Sequence, residues 1–213
     1  MADELNNIQD MEPVEDNTKV LIGIRKKNDG TKLAVTIEQY AGYDKRSWAA
    51  DGIIIRDEES DADLLFAGYE ATATFGEGPD DIPETDKRRR NAPASPSFYE
   101  LDGQRRTKWQ LDNHPDTHED GCAICEAVKF GWLPSNGEMD YALSRLERFN
   151  ETAQACGAQM LEGTSYWCST QYDPDYMWCK NMESGNFEFW HSKTTEMSIR
   201  PVRSASEYQE LVG

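Results

Sequence analysis

The sequence predicts an α+β domain, with two helices and an antiparallel aromatic-rich meander set behind an acidic N-terminal arm. Three observations carry this. Between Gly163 and Arg203, aromatic residues alternate with short polar ones around clear turn formers, a strand pattern. Ahead of it, Ser135 and Glu138 stand three apart as a capping box opening a helix. Near the start, Lys19-Val20-Leu21-Ile22-Gly23-Ile24 and Leu33-Ala34-Val35-Thr36-Ile37 flank Asn28-Asp29-Gly30, a strong hairpin turn.

Taken in order, residues 1–18 hold Asp3, Glu4, Asp10, Glu12, Glu15 and Asp16 with few apolar anchors, the composition of a solvated arm. Leu5, Ile8 and Met11 fall at helical spacing, so docking of the arm on a neighbouring subunit is a second reading. The domain proper is expected over 19–203. After the hairpin, Glu38 to Trp48 reads as a short helix. Gly52 to Arg56 and Leu64 to Tyr69 read as buried strands around the acidic turn 57–63, which lacks the offsets of a calcium loop. The stretch of about 76–97, rich in Pro, Gly and charge and containing Lys87-Arg88-Arg89-Arg90, reads as an inserted loop. Cys122 and Cys125 fall in a helix starting near Thr117. With no second close pair to complete a zinc site, they read as small buried residues.

In the helix opened by Ser135, Met139, Leu143, Leu146 and Phe149 form the apolar stripe. A further helical turn runs from Asn150 to the helix-ending Gly157. Four strands follow, about Ser165 to Ser169, Met177 to Met182, Asn186 to His191 and Met197 to Val202. Residues 204–213 read as a surface extension.

Composition narrows the function. With 22 Lys and Arg against 40 Asp and Glu, the net charge is -18 over 213 residues. Nucleic-acid binding runs on a surplus of cations, so no nucleic-acid ligand is expected. The same charge and the lack of a long apolar run leave no membrane insertion expected. The beginning of the sequence has neither the basic nor the apolar region of a secretory signal, so a cytoplasmic origin and reduced thiols at the five cysteines are expected.

The order Gly131-Trp132-Leu133-Pro134-Ser135, a helix, Gly157-Ala158, Tyr166-Trp167-Cys168-Ser169-Thr170, Trp178, Gly185 and Ile199-Arg200-Pro201-Val202-Arg203 resembles the C-type-lectin-like fold. It is most similar to the branch that holds formylglycine-generating enzymes and the retroelement-diversified variable proteins of phages and gut bacteria. The resemblance is close over about 110–203 and loose over about 20–75, and Cys168 stands where Ser is more usual.

Two activities follow as implications. The enzyme branch implies oxidation chemistry at reactive cysteines and a metal, yet the residues flanking Cys168 and Cys179 do not reproduce that site. His114, His118 and His191 are scattered, leaving no multi-histidine centre, so no catalytic residue, metal or cofactor is assigned. The variable-protein branch implies ligand binding. The meander supports it with Tyr172, Asp173, Asp175, Tyr176, Asn181, Ser184, Asn186, Glu188, Trp190 and His191, the mixture of flat aromatics and short polar groups that binding loops use. The expectation is a non-enzymatic display protein on a phage particle, assembled in the host cytoplasm, oligomeric, and recognising a bacterial surface glycan or protein. Its arm would meet other virion subunits. A purely structural virion subunit and an enzyme of the formylglycine-generating kind are the alternatives.

Overall fold

The computed structural model describes residues 17–76, 100–113, 121–163, 165–173, 175–188 and 191–211. The acidic arm up to residue 16, the inserted loop, the basic run 87–90, Thr117, His114, His118 and Trp190 lie outside them.

The fold is α+β. The N-terminal hairpin forms as the sequence predicts, with β1 (Lys19–Lys26) antiparallel to β2 (Lys32–Val35) and Gly30 at φ 74° in the turn. Thr36 and Gln39 then cap one another to start α1 (Ile37–Ala41). This helix is shorter than expected, because Trp48 already belongs to β3 (Trp48–Asp57), which pairs along all of β1. Next come β4 (Ala62–Ala67) and β5 (Ala71–Thr74), the latter absent from the sequence reading since its Ala-Thr alternation has little hydrophobic contrast.

Two helices that sequence patterning placed poorly follow. α2 (Gly103–Asn113) was not anticipated. α3 (Ala123–Val128) starts later than Thr117 implied, because Cys122 is itself the cap and its sulfur accepts from the Cys125 amide at 3.2 Å. The stripe from Met139 to Phe149 spans two helices, α4 (Asn136–Leu143) and α5 (Leu146–Cys156). Asn150 lies inside α5 rather than capping it. Its side chain instead holds the Leu161 backbone, accepting from the amide at 2.7 Å and donating to the carbonyl at 3.2 Å. Gly157, at φ 74°, ends the helix in the left-handed conformation.

The remaining strands are β6 (Ser165–Gln171), β7 (Met177–Asn181), β8 (Phe187–Glu188), β9 (Glu196–Ile199), β10 (Val202–Ser204) and β11 (Gln209–Glu210). They complete two sheets, one ordered β10-β4-β3-β1-β2-β11 and the other β5-β9-β6-β7-β8. Only β6-β7-β8 is the antiparallel meander the aromatic pattern implies. The expected strand from Met197 to Val202 breaks at Arg200-Pro201 into β9 and β10, which join different sheets, and β9 touches β6 in parallel. Proline cannot donate to a ladder, so the break falls where the chain changes sheets.

Burial explains why the layers hold. Ile53, Ile55 and Phe66 of the first sheet meet Met139 and Phe149 of the helices and Tyr166 and Cys168 of β6 in one core. Trp167, Met177 and Cys179, on the other face of the second sheet, pack with Ala123, Ile124 and Ala127 of α3. The back of the first sheet is closed by the segment read as a surface extension, whose Ala205 and Tyr208 pack on Leu21, Ile54 and Leu65. Tyr208 is 2% exposed.

Candidate functional site

The candidate residues sit on the β6-β7-β8 meander, whose foundation is the contact between two sequence motifs. β6 and β7 pair in register from Ser165↔Asn181 to Trp167↔Cys179, then slip before Gln171↔Met177. The extra residues of β6 bend toward the Gly-Trp-Leu-Pro-Ser segment. There the Ser169 amide donates to the Pro134 carbonyl at 2.8 Å and the Asn136 amide to Thr170 Oγ1 at 3.2 Å. On the face shared with Tyr166, the buried Lys180 reaches Asp140 of α4 at 2.8 Å and covers the Phe187 ring at 4.0 Å. The strands that carry the two turns are thus tied to a helix on one face and a core on the other.

At one end, the turn from β6 to β7 is set by Asp173, whose Oδ1 accepts from the amides of Asp175 and Tyr176 at 2.9 and 2.8 Å. Asp175 and Tyr176 project into solvent, with Tyr176 38% exposed. Tyr172 is turned inward, its ring edge-on to Trp178 at 5.6 Å. Lys193 lies buried beneath, its backbone donating to the Asp175 carbonyl at 3.2 Å. Burial pushes its ammonium down to about 8, against the pull of Asp173 and Asp175.

At the other end, Asn181 Oδ1 accepts from the amides of Glu183 and Ser184 at 2.9 and 3.0 Å, Ser184 Oγ accepts from the Asn186 amide at 3.3 Å, and Gly185 takes φ 69°. Ser184 and Asn186 are exposed. The five residues of β7 separate this turn from the Tyr176 turn by about 17 Å at the usual rise of a strand. The exposed candidates therefore divide into two groups, Asp175 and Tyr176 at one end and Ser184 and Asn186 at the other. Between them, β8 and residues 191–192 return along β7, as the Tyr176↔Ser192 bridge shows. Asn181 Nδ2 donates to Glu188 Oε1 at 3.0 Å, and His191 Nε2 meets Glu188 Oε2 at 3.2 Å.

Cysteine placement bears on the enzyme alternative. Cys168 and Cys179 are on adjacent strands but opposite faces, since Cys179 pairs with Trp167 and Cys168 points into the other core. Burial raises both thiols, Cys179 to about 12. A thiol so far from ionisation is a poor nucleophile. Sequence reasoning missed that Cys179 lies opposite Glu188, a consequence of register that no local pattern carries.

No family model matches the chain, and no curated protein matches it significantly. Among solved structures, a fimbrial protein from Bacteroides ovatus resembles it at 15% identity and a TM-score of 0.47 over 65% of this chain. The matched part of this chain spans 35% of that protein, about a third of its length.

Proposed function

We propose that the chain is a C-type-lectin-like display protein, carried on a phage particle, that recognises a bacterial surface glycan or protein through the turn at Asp173 to Tyr176. One observation carries the reading. Tyr176 presents an exposed ring on a turn whose backbone is fixed by the Asp173 carboxylate and by the backbone amide of the buried Lys193. A rigid aromatic contact loses little entropy on binding, and the adjacent Asp173 and Asp175 supply acceptors for hydroxyl or amide donors. Ser184 and Asn186 form a second contact area at the far end of β7, which suits an extended ligand. The contact between Gly-Trp-Leu-Pro-Ser and Tyr-Trp-Cys-Ser-Thr supports the lectin-like assignment. Display in several copies would raise a weak single contact by avidity.

The test is binding of the full chain, presented multivalently, to a glycan array and to intact gut-bacterial cells, alongside Tyr176→Ala and Asp175→Ala. Binding by the parent that falls at least tenfold in Tyr176→Ala supports the reading. Binding unchanged in both variants removes the turn from the site, and a parent that binds nothing favours a purely structural virion subunit.

A further inference from the structure

Where β7 and β8 pair, three side chains bring metal-binding atoms together. The register sets Cys179 directly opposite Glu188, and residues so placed on antiparallel strands project from the same face. His191, three residues further on, folds back onto the Glu188 carboxylate. One donor atom from each of the three lies within 4.8 Å of the other two. We propose that Cys179, Glu188 and His191 form a mononuclear site for a divalent metal ion, with zinc the ion the donor set suits.

The chemistry of the set selects the metal. Thiolate, imidazole and carboxylate together are ligands for a borderline ion such as zinc, whereas calcium and magnesium take oxygen. Zinc sits about 2.0–2.3 Å from such donors, which places them roughly 3.3–3.8 Å apart around a tetrahedral ion. No pair of these donors is more than 4.8 Å apart, so the side chains have at most about 1.5 Å left to close. Binding exchanges the thiol proton of Cys179 for the metal and releases that proton to solvent.

The surroundings are those of a built site. Asn181 Nδ2 donates to Glu188 Oε1 at 3.0 Å and so orients the carboxylate. Such partners behind the ligands are what hold a metal site in shape. Cys179 is fully buried, while the Glu188 and His191 side chains are 12% and 27% exposed. The fourth coordination position therefore opens on the solvent side, next to the imidazole. An ion there would clip β8, an edge strand of two residues, to the buried β7. The inference is independent of the display reading, because it uses neither the Tyr176 turn nor any receptor.

The experiment is a Co2+ titration of the full chain after chelator treatment in a thiol-free reductant, followed by Zn2+ displacement. The expected result is one equivalent of Co2+ with an intense near-ultraviolet thiolate charge-transfer band and tetrahedral visible bands, all removed by Zn2+. Cys179→Ser should lose the charge-transfer band. His191→Ala, a change at a partly exposed position, should weaken affinity by about a hundredfold or more, with an unchanged circular dichroism spectrum. A Cys122→Ser, Cys125→Ser double variant should behave as the parent. The proposal is overturned if the parent shows no charge-transfer band, if His191→Ala binds as the parent does, or if the band disappears in the double variant instead.

Discussion

The indole nitrogen of Trp132 donates to the carboxylate of Glu138 at 3.0 Å, and both residues are buried. The same carboxylate accepts from the amides of Ser135 at 2.9 Å and Gly103 at 3.3 Å. A capping box that the sequence shows as a local device thus joins the tryptophan of the Gly-Trp-Leu-Pro-Ser motif to the start of α2. Trp132 in turn pairs its backbone with Val202, which ties this junction to the end of the chain.

That junction makes stability depend on pH. Burial outweighs the three donors and pushes Glu138 up to about 7, from an ordinary 4.5. Between these values the unfolded chain has released the proton while the folded chain keeps it. Stability therefore falls as pH rises across that window, by up to about 3 kcal/mol, and the loss is complete above it. Glu138→Gln carries no such proton. Denaturant unfolding of both proteins from pH 4.5 to 7.5 should show their difference changing steadily, and a constant difference would refute the assignment.

Gly131 has no room for a side chain. A Cβ there would collide with the Val202 carbonyl and the Arg203 side chain. Gly131→Ala should cost about 1–3 kcal/mol by forcing the Trp132 and Val202 segments apart. A thermal midpoint equal to that of the parent would show that the segment yields without strain.

The two tyrosines of the β6 to β7 turn should behave differently. Tyr172→Ala removes an edge-on contact with Trp178, worth about 0.5–1.5 kcal/mol beyond the area buried, and should lower stability. Tyr176→Ala, at an exposed position, should stay within about 0.5 kcal/mol of the parent and affect binding alone. Equal losses of stability would place Tyr176 in the scaffold instead of the contact surface.

Tyr208 holds the C-terminal segment down. It is buried on Leu21, Ile54 and Leu65, and its hydroxyl donates to Asp51 at 2.8 Å. Tyr208→Ala should cost about 3–5 kcal/mol, in the range for losing a large buried aromatic. An unfolding midpoint within error of the parent would mean that the segment is dispensable to the first sheet.

The sequence by itself determined what local chemistry determines. The capping box at Ser135 and Glu138, the Asn28-Asp29-Gly30 hairpin, the left-handed Gly157 and the strands β6 and β7 are each set by residues a few positions apart, where dihedral preference and side-chain to backbone bonding act directly. Of the candidate site, the two turns were legible for the same reason, since Asp173 and Asn181 bond their own neighbours. The tertiary structure decided the rest. It split Met197 to Val202 between two sheets, brought Tyr208 under the first of them, divided the exposed candidate residues between the two ends of β7, and set Cys179 against Glu188. Strand pairing joins residues far apart in the chain, and a shift of one residue in register reverses every face.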